Sequence, residues 1–222
     1  MTNPATKAQS KRRTASKEHR RLQLIKATIR SIAKRGLSET TIATVAGEAK
    51  LSQGIINLHF QSKDRLMVET LRYVADEYRQ VWQAALDKTG PGGAERLAAL
   101  VAADFDKKVC DRNKVAVWFA FWGESRSRPT YRKICAERDE QYDDMLIGLC
   151  TEIAGDGRYE TVSPEAVAKG LSAMTEGLWL DLLIDPKSMT PERAKSISFE
   201  YLANVFPRHF GDRSALMMGG VA

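Results

Sequence analysis

Apolar residues recur at every third or fourth position along most of the chain, and no stretch alternates apolar and polar residues as a half-buried strand would. This spacing predicts an all-α protein with about nine helices. The first is expected to run from near Lys17 to Arg35, where Gly36 ends it. Its apolar stripe consists of Leu22, Ile25, Ile29 and Ile32.

Residues 41–63 predict a helix-turn-helix, because two short amphipathic helices follow each other across a tight turn. Thr41 and Ser52 are expected to cap them. In such a motif the second helix enters the DNA major groove, where Gln and Asn side chains pair with adenine and a glycine permits close approach. Lysine at the start of the next helix is suited to a phosphate. The candidate DNA-binding residues are Thr41, Thr44, Ser52, Gln53, Gly54, Asn57, His59 and Lys63.

The order of residues in this region resembles the helix-turn-helix of the TetR-type repressors. The matching positions are Thr40-Thr41, Val45-Ala46-Gly47-Glu48-Ala49, Lys50-Leu51-Ser52, Gly54, His59-Phe60 and Lys63. Two positions depart from the family pattern. Lys50 replaces a turn glycine, which would cost roughly 1 kcal/mol if that residue has positive φ, and Asn57 replaces a common tyrosine.

Beyond the helix-turn-helix the periodicity predicts a long helix over residues 63–86, a turn at GPGG, and helices over 94–109, 113–124 and 129–154. Two further helices, over 164–184 and 191–206, begin with an N-cap, a proline and an acid. The expected organisation is a three-helix DNA-binding module followed by a larger helical domain for ligand binding and dimerisation. Its parts are a basic disordered arm (1–18), the DNA-binding domain (19–66), the larger domain (67–207) and a loose tail (208–222).

Charge supports a nucleic-acid partner for the N-terminal part. The formal net charge is +6, but residues 1–71 carry +9 and the remainder carries −3. Concentrated positive charge is what counterion release from a phosphate backbone requires. A solvated tail, or a helical adaptor that uses its charge to contact a protein or membrane, is the alternative interpretation. Salt dependence and duplex preference separate these alternatives.

Several other classes of protein lack support in the sequence. The chain has no signal-peptide pattern, and its longest apolar run, over residues 115–121, is too short to span a bilayer. Three cysteines with wide spacing favour reduced thiols in a cytoplasmic protein. The three histidines lack metal-ligand spacing, and no phosphate loop or nucleophile elbow is present. We therefore expect no enzymatic activity, metal or cofactor.

Aromatic residues concentrate in residues 115–134, where Trp118, Phe121 and Trp122 share one helix face. Core packing is the ordinary explanation of such a stripe. An open aromatic box would instead attract a quaternary ammonium ion. Tyr142 or Trp179 could complete the box, and Glu124 or Asp181 could supply a balancing charge. The candidate ligand-binding residues are Trp118, Phe121, Trp122, Tyr142, Trp179 and Asp181.

The segments WFAFWGESRSRPTY, EGLWLDLL and LSQGIINLHF resemble the choline-responsive betaine-synthesis repressors within the TetR-type family. That resemblance implies a homodimer that binds a palindromic operator, represses conversion of choline to glycine betaine and is released by choline. The apolar content of the last two helices predicts a four-helix bundle between protomers. The competing interpretation is a repressor of an efflux or metabolic operon that responds to a hydrophobic cation or a polyamine.

Overall fold

The computed structural model describes the backbone of residues 4–211 and the side chains of residues 17–211. This part of the chain is all-α and contains no strand, which confirms the predicted fold class. Ten helices follow one another instead of about nine. They are α1 (Pro4–Arg35), α2 (Ile42–Ala49), α3 (Gln53–Phe60), α4 (Lys63–Asp87), α5 (Gly93–Asp104), α6 (Arg112–Glu124), α7 (Pro129–Asp156), α8 (Pro164–Ile184), α9 (Pro191–Val205) and α10 (Pro207–Phe210).

The helices form two compact units. Unit 1 contains the described residues up to Val74 together with Ala116–Tyr131, and unit 2 contains Ala75–Val115 and the described residues from Arg132 onward. The sequence placed a boundary after residue 66, but the division falls inside α4, and most of α6 belongs to unit 1. A helix continues where its packing partners change, so helical periodicity alone does not mark such a boundary.

Helix α1 provides the base of unit 1. Its predicted stripe is largely buried, although Leu22 is only half-buried and Leu24 is fully buried. The helix begins at Pro4, well before the predicted start near Lys17, so the arm expected to be disordered over 1–18 is helical from residue 4. No proline or glycine interrupts the chain between Pro4 and Gly36, and proline is well suited to the first position of a helix. Residues 1–3 lie outside the described part.

Helix α2 is fixed at both ends, as its sequence predicts. Thr41 and Thr44 form a capping box, in which the Thr44 N–H donates to Thr41 Oγ1 at 3.2 Å and the Thr41 N–H donates to Thr44 Oγ1 at 2.9 Å. At the other end, Lys50 has φ 55° and ψ 46°, the left-handed conformation that favours glycine. The predicted strain at Lys50 is therefore present.

The capping residues of α8 and α9 are also confirmed. The Ala166 N–H donates to Ser163 Oγ, and the Arg193 N–H donates to Thr190 Oγ1, both at 3.2 Å. Helices α8 and α9 pack against each other within unit 2. Helix α5 differs from its prediction, because it ends at Asp104 instead of continuing to residue 109.

The end of the described chain is ordered around a short helix that the sequence did not indicate. Phe210 in α10 is buried, and His209 Nε2 lies 2.9 Å from Asp156 Oδ2 of α7. The tail predicted to be loose from residue 208 is therefore helical up to Phe210, and residues 212–222 lie outside the described part. No helix among the described residues is long and apolar enough to cross a membrane.

Replacing Lys50 by glycine should raise the stability of the protein, because glycine adopts φ 55° without a steric penalty. The expected gain is about 1 kcal/mol, or about 2–4 °C in Tm for a chain of this size. Thermal unfolding checks it. Lys50→Ala is the matched control, since it removes the same charge but keeps a Cβ atom. An equal gain in both variants would assign the effect to charge and contradict the backbone explanation.

Candidate functional site

The recognition surface is the solvent-facing side of α3. Gln53, Gly54 and Asn57 are exposed, whereas Ile56 and Phe60 are buried in unit 1. Leu58 is also exposed, with 75% of its surface accessible, and the sequence analysis did not select it. An apolar side chain beside two amides suits the methyl group of thymine. The candidates chosen from the sequence were polar residues and one glycine, so an apolar side chain was not among them.

Arg21 holds the end of the recognition helix in place from α1. Its guanidinium donates to the His59 carbonyl oxygen at 3.3 Å, forms a 3.0 Å ion pair with Glu69 and lies 4.9 Å from the centre of the Phe60 ring. These contacts fix the orientation of α3 relative to α1 and α4 within unit 1. The exposed amides of α3 are therefore presented by a well-anchored helix.

His59 differs from the other candidate DNA-binding residues. Its side chain is half-buried, and its Nδ1 atom has no hydrogen-bond partner in the described part of the chain. Burial lowers the pKa of His59, and the nearby Lys17, Arg21 and Arg20 lower it further. The ring is therefore neutral at pH 7 and does not supply a positive charge for a phosphate.

The remaining candidates divide into two groups. The Thr44 hydroxyl is engaged within the protein, because it bonds the Thr41 backbone and lies 3.1 Å from Ser31 Oγ. Ser52 occupies the N-cap position of α3 but forms no side-chain cap bond, contrary to its predicted capping role. Lys63 begins α4, where the Arg65 N–H donates to Ser62 Oγ. Thr44 is thus engaged within the protein, while Ser52 and Lys63 stay candidates for a phosphate contact.

The aromatic stripe of α6 lies in unit 1. Trp118 and Phe121 are buried, Trp122 is half-buried, and the two indoles stack with ring centres 5.8 Å apart. Phe121 meets the Tyr131 ring edge-on at 4.8 Å. This arrangement agrees with the core-packing explanation of the stripe for Trp118 and Phe121.

Unit 2 contains a second aromatic group, which is built around the carboxylate of Asp104. Its two oxygens accept hydrogen bonds from Tyr78 Oη at 2.7 Å and Tyr142 Oη at 2.6 Å. Trp179 Nε1 donates to the Asp104 carbonyl oxygen at 3.0 Å. Trp82 is buried beside Tyr142, with ring centres 6.2 Å apart. We call Tyr78, Trp82, Asp104, Tyr142 and Trp179 the Asp104 cluster.

Burial determines the electrostatics of the Asp104 cluster. It raises the pKa of Asp104 from 3.8 to about 6, while the hydrogen bonds from Tyr142 and Tyr78 and the charge of Arg138 act in the opposite direction. The Arg138 guanidinium lies 5.3 Å from the centre of the Tyr78 ring. Its ion-pair partners are Asp139 and, at 3.5 Å, Glu176. A cation therefore already lies against one ring of the cluster.

Among the predicted ligand-binding residues, Tyr142 and Trp179 take part in the Asp104 cluster of unit 2. Trp118, Phe121 and Trp122 belong to unit 1. Asp181 is exposed on α8, so it is not a buried charge, whereas Asp104 is fully buried. The sequence did contain a signal, because Asp104 follows the apolar positions 97, 100 and 101 of α5 at helical spacing.

Two concave regions of unit 2 are lined by other residues. One groove of about 500 Å³ is lined by the connection between α7 and α8, the start of α8 and the end of α9, among them Tyr159, Ala166 and Tyr201. A smaller cleft of about 170 Å³ includes Cys110 and Met189. All three cysteines are free thiols. The described part of the chain contains no cluster of His, Cys, Asp and Glu suited to a metal ion.

Two family models match this chain. Residues 24–70 match the bacterial regulatory proteins of the tetR family, and residues 93–207 match the BetI-type transcriptional repressor C-terminal domain. A curated relative from Burkholderia mallei, an HTH-type transcriptional regulator BetI, is 33% identical over 84% of this chain and 93% of its own length. A protein of the same name from Burkholderia thailandensis is 38% identical over 74% of this chain and 82% of its own.

Solved structures show the same fold. A transcriptional regulator from Pseudomonas aeruginosa PAO1 superposes with a TM-score of 0.75 at 28% identity, covering 87% of this chain and 94% of that one. A regulator from Saccharomonospora viridis, determined in complex with choline, has a TM-score of 0.71 at 22% identity and covers 83% and 96% of the two chains.

These matches define a helix-turn-helix transcriptional repressor and not an enzyme. The chain belongs to the TetR family of bacterial transcriptional regulators and carries a C-terminal domain of the BetI type.

The raised pKa of Asp104 makes the stability of the protein depend on pH. A carboxyl group that holds its proton more tightly when folded stabilises the fold fully below pH 3.8, and this contribution is lost as the pH rises through about 6. The total loss is about 3 kcal/mol. Asp104→Asn removes this titration. The difference in free energy of unfolding between the variant and the wild type should therefore shift in favour of the variant by about 2 kcal/mol from pH 4 to pH 8. Urea unfolding at both pH values measures the difference, and an unchanged difference would contradict the assignment.

Proposed function

We propose that this protein binds a palindromic operator as a homodimer, represses genes for the synthesis of glycine betaine from choline, and is released from DNA by choline or another quaternary ammonium compound. The observation that carries the DNA-binding part is the exposed row of Gln53, Gly54 and Asn57 on an anchored helix in the basic part of the chain. The BetI-type relatives support the regulatory class. The structural neighbour bound to choline supports the ligand class.

On DNA, α3 is the element that enters the major groove. Gln53 and Asn57 read base edges, since each offers a donor and an acceptor suited to adenine, while Leu58 contacts a thymine methyl group. Ser52, Thr41 and Lys63 contact phosphates and set the register without reading sequence. Two-fold symmetry places the recognition helices of the dimer about one helical turn of DNA, ~34 Å, or a multiple of it apart.

The dimer is expected to form through α8 and α9. Two large apolar side chains of α8, Leu180 and Ile184, are exposed by 38% and 70%. Ala173 and Gly177 lie on the same side of the helix at helical spacing and are also exposed. Apart from its own helix backbone and chain neighbours, no described atom lies within 4 Å of a Cβ placed on Gly177, so close approach of a second helix is possible there. A partner copy would cover this apolar side in a four-helix bundle.

Induction requires the ligand to prefer a conformation that binds DNA poorly. Helix α4 is the element suited to this coupling, because its first half contributes Leu66 and Leu71 to unit 1 and its second half contributes Tyr78 and Trp82 to unit 2.

The competing ligand class, hydrophobic cations or polyamines acting on an efflux or metabolic operon, has one specific point in its favour. Such compounds are also cations and would also meet aromatic side chains.

Operator release by choline is tested with a fluorescent duplex selected from a randomised library against the protein. Choline should weaken binding of this duplex by roughly 5- to 150-fold, the usual range of allosteric coupling. Anisotropy titrations with choline, glycine betaine and spermidine compare the ligand classes. A selected duplex that is released by spermidine and not by choline would exclude the betaine-synthesis proposal while leaving the repressor intact.

Substitutions on α3 and α4 should separate base readout from phosphate contact. Gln53→Ala and Asn57→Ala are expected to cost about 1–3 kcal/mol on the selected duplex and little on a scrambled one. Lys63→Ala should weaken both duplexes equally and reduce the salt slope by about one unit. A uniform loss in all three variants would show that Gln53 and Asn57 do not read bases.

Disrupting the exposed side of α8 should give a monomer. The variant Leu180→Glu with Ile184→Glu places two charges where a partner helix would pack, so light scattering should report half the mass of the wild type. Leu58→Glu is the matched control, because it introduces the same charge at an exposed leucine in unit 1. It should remain dimeric and lose operator affinity. A wild type that is already monomeric at micromolar concentration would contradict the dimer.

A further inference from the structure

We propose that Asp104 is the buried counter-charge for a quaternary ammonium effector, and that the effector binds by opening the Asp104 cluster between α4 and the helices α7 and α8. This inference rests on the proposed function, because it assigns a site to the ligand class named there. It places the cation in unit 2.

Asp104 is an unusual residue for a purely structural position. Its side chain is fully buried, and within the described residues it forms no salt bridge. Arg138, whose charge lowers the pKa of Asp104, forms ion pairs with Asp139 and Glu176. Burial of an ionised carboxylate costs stability, and a bound cation would offset the part of that cost that the tyrosine hydroxyls and Arg138 leave.

Aromatic rings lie close to Asp104. The rings of Tyr78 and Tyr142 are 5.6 Å apart, and Trp179 meets Tyr78 edge-on at 5.6 Å. Aromatic faces attract cations, and Arg138 shows this directly, because its guanidinium lies against Tyr78. The cluster therefore combines a net negative charge with several ring faces, which is the chemistry that recognises a trimethylammonium group.

The hydrogen bonds that Asp104 already accepts distinguish between types of ammonium ion. A primary ammonium donates hydrogen bonds and requires free acceptors, whereas a quaternary ammonium donates none. Each Asp104 oxygen already accepts a short bond from a buried tyrosine hydroxyl. The carboxylate thus offers its charge at a distance while two of its roughly four lone-pair sites are already used, which favours choline over ethanolamine or spermidine.

The closed state of the cluster connects binding to regulation. Tyr78, Trp82, Tyr142 and Trp179 are all at most 6% exposed, so a ligand reaches Asp104 only when the rings separate. Tyr78 and Trp82 belong to α4, while Tyr142 belongs to α7 and Trp179 to α8. Opening the cluster therefore displaces the second half of α4 within unit 2, and a ligand that binds only the open form shifts the population toward it.

The test compares choline with 3,3-dimethylbutan-1-ol, which has the same shape but no charge. Calorimetry should show that the wild-type protein prefers choline by at least about 10-fold, because only choline gains from the Asp104 charge. Asp104→Asn keeps the size of the side chain and removes its charge, so it should lose most of this preference. Asp181→Asn is the matched control: it removes an exposed carboxylate of unit 2 and should keep the full preference.

A second variant keeps the test informative if Asp104→Asn does not fold. Tyr142→Phe retains the ring but removes one hydroxyl, which frees an oxygen of Asp104 to accept a bond from a primary ammonium. The ratio of the choline affinity to the ethanolamine affinity should therefore fall in this variant by about 5-fold or more. Circular dichroism confirms that each variant is folded before titration.

The outcomes distinguish the two proposals. If the wild type binds choline and Asp104→Asn retains the full preference for choline over its neutral isostere, the Asp104 site is overturned and the choline-responsive repressor stands. An unchanged choline preference in Tyr142→Phe would overturn the selectivity argument in the same way. If the wild type binds neither compound, both the site and choline as the inducer are overturned.

Discussion

Helix α4 is the constraint on which the two units of this protein both depend. It is uninterrupted from Lys63 to Asp87, yet Leu66 and Leu71 are buried in unit 1, while Tyr78 and Trp82 are buried in unit 2. A helix is a stiff element, so side chains on its two halves are not free to move independently. Lys63 at its first position is a candidate phosphate contact, and Tyr78 bonds Asp104. One element thus contributes to the surface proposed for DNA and to the cluster proposed for the effector.

The Asp104 cluster also shows why a site of this kind is not the most stable arrangement available. Burial raises the pKa of Asp104 to about 6, so at neutral pH the fold bears the cost of an ionised buried carboxylate. The tyrosine hydroxyls reduce that cost without removing it. A regulator that responds to a small molecule has a reason to retain such a group. The cation proposed to bind there would offset the cost of the buried charge and so stabilise the protein.

Much of the fold was predictable from local sequence signals. The caps at Thr41, Ser163 and Thr190 and the strained position at Lys50 follow from side-chain chemistry within a few residues, and the structure has all of them. The cluster around Asp104 was not predicted, because it joins α4, α5, α7 and α8 across sequence separations of 26 to 75 residues. Periodicity identifies buried faces but does not say which faces meet. Asp181 and Asp104 both follow apolar runs, and only tertiary packing distinguishes the exposed carboxylate from the buried one.

The central claim is that operator DNA and a quaternary ammonium effector select different conformations of one molecule. Thermodynamic linkage makes this reciprocal, so the most direct measurement is the choline affinity of the protein with and without a saturating amount of the selected duplex. DNA should weaken choline binding by the same factor by which choline weakens DNA binding, roughly 5- to 150-fold. Equal choline affinity for the free and the DNA-bound protein would contradict the coupling and, with it, the role of choline as inducer.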